Sequence, residues 1–398
     1  MKERCPFTPG HPVPAEYFVG RQKEIERLRR AIKQVALGKN ENIFLTGERG
    51  IGKSSLASLC KSFAKEQYKL IGTHCFLGGI RSVEELCRSV LQGLLEENPE
   101  ESFLNKVKTI VGRYIEEIKF ELPLFGPKIG FRLKKDPAEL KDLHLNFLSI
   151  IKGLHQTAKE EYKGFAIILD DLNGATKVPG VSLFLKSFID ELAGKIPLLF
   201  CLVGVEERMN DLAEEQRSVT RIFHPVELGL MSIEECVEFY KKAFSSVNIS
   251  FDDDALKLMA SYSGGIPTLL HEIGEATFYA DTDNKITRQD AIDGITEASN
   301  VVGKKYIDRQ VFDEIRSDAR RKLLLKVVQS LKPLVAPVMR KNVLPLLTEK
   351  EKKDFDNLLR RMTVLVILKN VGRGEYVFQN KLFPVYIRMF LAKKLEKL

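Results

Sequence analysis

No stretch of the 398-residue sequence stays apolar for much more than ten residues. The longest, "IPLLFCLVGV" from Ile196, is half of what a membrane-spanning helix needs and suits a buried strand. No N-terminal segment joins basic residues to a long apolar run, so neither a signal peptide nor a membrane partner is expected. The six cysteines are scattered without a C-x-x-C pair, which predicts a reduced, metal-free chain in the cytoplasm. The six histidines (His11, His74, His144, His155, His224, His271) show no paired metal spacing, so each reads as a core or surface residue. No Ser-His-Asp or Cys-His arrangement stands out, and there are no internal repeats or low-complexity tracts.

What is present is an ordinary globular composition, 44% apolar and 29% charged, in a chain long enough for two or three domains. The net charge of +8 is uneven. Residues 304–398 hold 23 Lys/Arg against 10 Asp/Glu, a net +13, which leaves −5 for the first 303 positions. A basic C-terminal quarter suits duplex DNA or an acidic protein surface, and equally a solvated lysine-rich domain.

The first 17 residues, with four prolines, read as an extended lead-in. Ile25, Leu28, Ile32 and Val35 space a helix at about 22–37. Apolar strands at "NIFLT", "LIGTHCFL", "FAIILDD", "PLLFCLVG" and "FHPVEL" then alternate with helices at about 53–66, 82–96, 138–160, 181–193 and 206–215. Strands apolar throughout, alternating with helices, predict a parallel sheet covered on both faces. Residues 97–140 break the alternation. There "KFELPLFGPKIGFRLKK" reads as a β-hairpin around Gly126–Pro127, inside an insertion of unassigned purpose.

From Ser232 the pattern turns helical, with a capping box of Ser232 and Glu235 and helices at about 233–245, 252–263, 268–280 and 288–299. The last hundred residues read as three helices, a strand at "VLVILK", the turn "NVGRG", a strand at "EYVFQ" and a closing helix. Thr348 and Glu351 cap the third helix. Three helices followed by a two-stranded wing is a winged-helix pattern. The expected fold is therefore α/β, with a parallel-sheet core over 18–230. A helical lid at 231–303 and a C-terminal winged-helix domain at 304–398 follow.

"GERGIGKS", Gly47 to Ser54, matches G-x-x-x-x-G-K-[ST] between a strand and a helix. Glycines let the backbone wrap with its N–H groups inward, an anion nest at a helix N-terminus. Gly47, Arg49, Gly50, Ile51, Gly52, Lys53, Ser54 and Ser55 are the expected nucleotide contacts. Lys53 reaches the β- and γ-phosphates of ATP or ADP, and Ser54 ligates Mg²⁺. Five apolar residues of "FAIILDD" run into Asp170 and Asp171, a costly pairing unless a cation or ligand needs it. Alone, such a run is also what a strand end meeting solvent looks like. With the loop upstream, Asp170 is expected to hold Mg²⁺ through water and Asp171 to orient or deprotonate the attacking water.

Further motifs carry a resemblance. "YFVGRQKEIERLRRAI" (17–32) resembles the segment before the P-loop in AAA+-related ATPases. These include origin-recognition-type initiators and the signal-transduction ATPases with numerous domains, the STAND class. With the phosphate loop, that resemblance implies a P-loop NTPase core (ASCE/AAA+-like) over 18–230, with Phe18, Val19, Gly20 and Arg21 lining the base pocket. "SGGIPTLLHEIG" (263–274) resembles the G-x-P motif of STAND ATPases and of the related archaeal ATPase family, in which the proline packs on the nucleotide. Pro267 takes that position here. The same residues also read as a helix C-cap at Gly264–Gly265 and a restart at Pro267. The Asp-Asp pair leans to STAND proteins, since AAA+ motors carry Asp-Glu.

Several positions depart from the pattern. Gly204 and Val205 replace the polar sensor expected after "LLFCLV", the lid motif lacks an arginine, and Gln379 and Asn380 stand where related switches carry His-Asp. Arg217 and Arg221 lie where a trans-acting arginine sits in the family. The combined expectation is a slowly hydrolysing ATP switch that self-associates in its ATP state. A DNA-binding ATPase of the initiator or transposition-regulator kind, and a nucleotide-binding scaffold without turnover, stand as alternatives.

Overall fold

Five apolar runs of the first 229 residues assemble into one parallel sheet. The structure is a computed structural model that describes residues 4–13, 18–114, 120–121, 132–133, 143–312, 315 and 317–395. The chain divides into two compact units, Pro12–Gly229 and Met1–His11 with Leu230–Leu398.

The Pro12–Gly229 unit begins with α1 (Gln22–Ala36), β1 (Asn40–Gly47), α2 (Lys53–Tyr68), β2 (Leu70–Phe76) and α3 (Val83–Glu97). It continues through α4 (Glu101–Tyr114), β3 (Phe120–Glu121), β4 (Arg132–Leu133), α5 (Leu143–Ala158), β5 (Gly164–Asp170) and α6 (Val181–Leu192). β6 (Leu198–Val203), α7 (Glu206–Glu215), α8 (Val219–Ile222) and β7 (His224–Leu228) complete it. The large sheet has the order β2-β5-β6-β1-β7, and every pairing in it is parallel. β6 thus lies between the two strands that carry the motifs. At about 4.8 Å per strand, the ends of β1 and β5 are about 10 Å apart.

Strand alternation divides the interior into two cores. Phe165, Ile167 and Leu169 of β5 face a core built with α3, α4, α5 and α6. Ala166 and Ile168 face the other, built with α1 and α2. β5 and β6 are buried at every position, which is why they read as unbroken apolar runs. Within 97–140, read above as an insertion with a hairpin, the structure adds helix α4. Phe103, Val107, Ile110 and Val111, spaced as one helical stripe, are buried in the first core. β3 and β4 pair antiparallel, Phe120 opposite Leu133, as the hairpin pattern predicts, while its Gly126–Pro127 turn lies outside the described residues.

The other unit contains α9 (Ile233–Ser245), β8 (Ser250–Phe251), α10 (Asp253–Ser263), α11 (Pro267–Ala280), β9 (Lys285–Ile286) and α12 (Arg288–Ile307). The Ser232–Glu235 capping box forms as expected, and Thr287 with Asp290 builds a second one that starts α12. Beyond a π-turn at Asp308–Phe312 come α13 (Asp318–Gln329), β10 (Val338–Met339), α14 (Arg340–Val343) and α15 (Glu349–Val364). β11 (Leu368–Gly372), β12 (Glu375–Phe378) and α16 (Phe383–Leu395) close the chain. The small sheet is three-stranded, β10-β12-β11, one strand more than expected. "VLVILK" is a strand only at its end, since α15, capped by Thr348 and Glu351, runs on to Val364.

Phe7 and Thr8 of the lead-in are packed against helices of this unit. Phe7 is 3% exposed, with ring centroids 5.2 Å from Phe244 and 5.9 Å from Phe239. The Thr8 N–H donates to His271 Nδ1 at 3.0 Å. Burial pushes the His271 pKa down to about 4, so the ring is neutral at pH 7 and that nitrogen can accept.

Candidate nucleotide site

The loop after β1 is shaped by its glycines. Gly47, Gly50 and Gly52 have φ of 148°, 76° and 92°, a backbone that L side chains rarely adopt. At Gly47 a Cβ would also meet the Leu228 carbonyl oxygen at 2.7 Å, so only glycine fits between β1 and β7. α2 starts at Lys53, which puts the orphan N–H groups of its first turn at the loop.

Lys53 folds back over this loop, with Nζ donating to Gly47 O at 2.7 Å and Glu48 O at 2.8 Å. Its pKa is lowered, first by burial and also by the Arg49 charge, while Asp170 and Glu48 pull it up. A half-buried ammonium close to a carboxylate and ringed by loop carbonyls is poised to exchange those carbonyls for phosphate oxygens. Arg49 and Gly50 are exposed at the loop tip, Ile51 is buried, and Ser54 is half-buried in the first turn of α2. The Ser55 hydroxyl instead accepts the Val13 N–H at 3.1 Å, which ties the lead-in to the residue after Ser54.

Phe18 packs partly buried against the α1/α2 core, and Val19 and Gly20 are half-exposed beside it. Arg21 is 6% exposed with φ 60°, and its Nη2 donates to the Ile51 carbonyl at 3.2 Å. The arginine of "VGR" therefore braces the phosphate loop, a contact that spacing alone did not suggest.

Asp170 ends β5 at 3% exposed, on the strand face turned to α2. Its Oδ1 accepts the Asp171 N–H at 2.7 Å, and its Oδ2 lies 3.0 Å from His74 Nε2. Each carboxylate oxygen keeps a second lone pair. Asp171 leaves the strand in the left-handed region, φ 53°, and its Oδ1 accepts from Asn173 Nδ2. Its Oδ2 sits over Gly78 in the turn after β2, 2.9 Å from where a Cβ would be.

The oxygens of Ser54 and Asp170 are the hard donors Mg²⁺ prefers. Among the described residues no group of three or more His, Cys, Asp or Glu can hold a metal alone. A cation here would complete its shell with water and phosphate oxygens, as Mg²⁺ commonly does. Gly204 leads out of β6 with its N–H on Leu45 O at 3.1 Å, and its side is filled by Leu172 and Arg208. Arg208 pairs with Asp211 at 2.7 Å. Arg217 and Arg221 are exposed around α8.

Pro267 opens α11 in the second unit. Gly264 caps α10 at φ 60°, so the cap-and-restart reading describes the local structure. Gly265 (φ 78°) passes its carbonyl to the Met231 N–H at 2.9 Å, and a Cβ there would sit 2.4 Å from Met231 O. Gln379 and Asn380 follow β12 in the same unit. Asn380 Oδ1 accepts the Leu382 N–H at 2.8 Å, in the turn before α16.

A glycine loop between β1 and α2, with an acidic strand end two strands away in a parallel sheet, defines a P-loop NTPase. Residues 17–201 match the AAA ATPase domain family. The fold is similar to that of the Walker-type ATPase of Pyrococcus abyssi, with 15% identity over 94% of this chain and 97% of that one, TM-score 0.54. It is also similar to the ORC2 protein of Aeropyrum pernix in ADPNP–ADP complexes, with 11% identity over 100% and 98%, TM-score 0.58. Cdc6p of Pyrobaculum aerophilum gives 16% identity over 98% of each chain, TM-score 0.50. At such identities the likeness is one of fold. The sequence has no significant match among curated proteins.

Proposed function

We propose that this chain is an ATP- and Mg²⁺-dependent molecular switch that hydrolyses slowly. Lys53 and the loop N–H groups hold the phosphates, Ser54 and Asp170 hold Mg²⁺, and Asp171 orients the attacking water. Phe18, Val19, Gly20 and Arg21 border the base, and Pro267 couples the nucleotide to a helical lid at 231–303. Bound Mg²⁺ supplies charge neutralisation on the β- and γ-phosphates. The residues of this chain position the phosphates and withhold or admit the attacking water.

The observation that carries the reading is the pairing of a complete phosphate loop with an incomplete hydrolytic apparatus. The loop lysine and Asp170 are close enough for their charges to interact, yet Gly204 and Val205 supply no polar side chain between them. The left-handed turn at Asp171 favours a short carboxylate over a longer one reaching for water. ATP then favours a self-associated form, with Arg217 or Arg221 offered to a neighbour, and hydrolysis resets it.

The second reading is a DNA-binding ATPase, favoured by the +13 charge of residues 304–398, which we read as a winged-helix domain. Helix α15 mixes both charge signs, which weakens it as a groove reader and suits an acidic protein partner as well.

Asp171→Asn tests the hydrolytic role. Nucleotide binding is expected to stay within about two-fold of wild type, while single-turnover phosphate release falls on the order of 10²-fold or more. Full release in this variant would remove Asp171 from the reaction. No release from the wild type above Lys53→Ala would leave a scaffold rather than a switch.

A further inference from the structure

The mechanism just proposed makes no use of His74, yet that side chain is held more tightly than most of the site. It is 3% exposed on β2, on the face turned to α2. Nδ1 lies 3.1 Å from Ser58 Oγ, Nε2 lies 3.0 Å from Asp170 Oδ2, and the ring stacks on Phe76 at 4.8 Å between centroids. Its own N–H donates to Glu97 Oε1 at 3.2 Å. An ionised carboxylate only accepts, so Nε2 carries the proton toward Asp170. In the neutral ring, Nδ1 then accepts from the Ser58 hydroxyl.

Ser58 is one helical turn beyond Ser54 on α2, and residues four apart share a helix face. A chain of hydrogen bonds therefore runs from Ser58, one turn beyond Ser54 on α2, through the imidazole to Asp170 on β5. It ties the carboxylate assigned above to Mg²⁺ to the helix that carries Ser54. Besides His74, the only hydrogen bond described at the Asp170 carboxylate comes from the next residue's N–H, which cannot set its position relative to α2.

We propose that His74 is the positioning residue of this site, a strut that sets the Asp170 carboxylate against the first turn of α2 and so determines how tightly Mg²⁺ is held with nucleotide. The proposal rests on the reading of Ser54 and Asp170 as the Mg²⁺ oxygens. Groups that hold a metal are commonly fixed by an outer hydrogen bond, and its loss costs about 10- to 100-fold in metal affinity; the same applies to a carboxylate that holds the ion through water. A strut of this kind acts on the metal and leaves metal-free nucleotide contacts alone, which separates it from a residue that merely fills the core.

The test is equilibrium binding of a fluorescent ADP to the full chain, titrated with Mg²⁺ and repeated in EDTA, for wild type, His74→Leu, His74→Gln and Ser58→Ala. In His74→Leu the Mg²⁺ concentration for half-maximal effect is expected to rise about 10-fold or more, with affinity in EDTA unchanged. His74→Gln, whose amide can still donate to Asp170, is expected to recover most of the shift. Ser58→Ala, which frees the far side of the ring, should shift in the same direction by less. It carries the test if His74→Leu does not fold. Wild-type Mg²⁺ dependence in the variants, or equal loss with and without Mg²⁺, overturns the proposal and leaves the nucleotide site standing. Binding by the wild type that ignores Mg²⁺ overturns the reading of Ser54 and Asp170 themselves.

Discussion

Lys53→Ala is expected to cut phosphate release at least about 10²-fold and to weaken ATP binding by about 10-fold or more. The amine already lies over the loop, within 2.8 Å of two of its carbonyls. Those carbonyls lie at the mouth of the anion nest, so the charge sits where phosphate oxygens would arrive. Without it, the loop keeps its N–H groups but loses the point charge that favours the β- and γ-phosphates. The fold should not suffer. Burial lowers the Lys53 pKa despite the opposing pull of Asp170, so removing the charged group relieves desolvation, and the nucleotide-free variant should melt no lower than wild type. Isothermal titration with ATP and a thermal melt check the two halves together. Wild-type affinity in the variant would mean that the phosphates bind elsewhere. A collapsed melt would mean that Lys53 serves the fold.

Phe7→Ala is expected to destabilise the unit formed by residues 1–11 and 230–398 by about 3–5 kcal/mol. The ring is buried among Phe239, Tyr240, Phe244 and His271. It lies so close to α11 that a Cβ on Gly274 would be 2.3 Å from its Cε1. No small shift of α11 refills such a volume, because Gly274 offers no side chain to move inward. For a unit of this size the loss corresponds to a drop of roughly 10 °C in melting temperature, read by calorimetry on the full chain. Phe7→Leu should recover part of it. An unchanged melt would show that the N-terminal segment is dispensable for this unit.

How much of this could be read in advance depended on how local the signal was. Four of the five strands of the large sheet hold buried runs whose composition alone marks them, while β7 is buried only at Val226 and Leu228. The phosphate loop is a contiguous pattern whose glycines are needed one by one. Caps such as Ser232–Glu235 and Thr348–Glu351 are equally local. Helix α4 carries its own signal, the stripe of Phe103, Val107, Ile110 and Val111, but the strand-like alternation of the residues that follow masks it. "VLVILK" misled because β-branched residues favour strands, whereas the buried face of Phe355, Leu358, Leu359 and Met362 draws α15 on by another turn. Val364 and Val366 are then left exposed at 68% and 62%. β10 has two residues and no period to detect.

At the site, the loop and the Asp pair were legible from spacing. The contacts that tie them together were not. His74 and Asp170 are 96 residues apart, Arg21 and Ile51 are 30 apart, and only the register of β2 on β5 and the packing of α1 bring them within bonding range. A lone histidine on an apolar strand carries no signal until its neighbours are known. The same holds for Phe7, whose burial depends on helices more than 200 residues away.

Control of assembly by the nucleotide, as proposed, is read from the solution mass of the full chain with ADP and with a non-hydrolysable ATP analogue, each with and without duplex DNA. A smaller species is expected with ADP and a larger one with the analogue, with DNA not required for the change. An identical mass under all four conditions would contradict it, and a change seen only with DNA would move the function to the initiator-like reading.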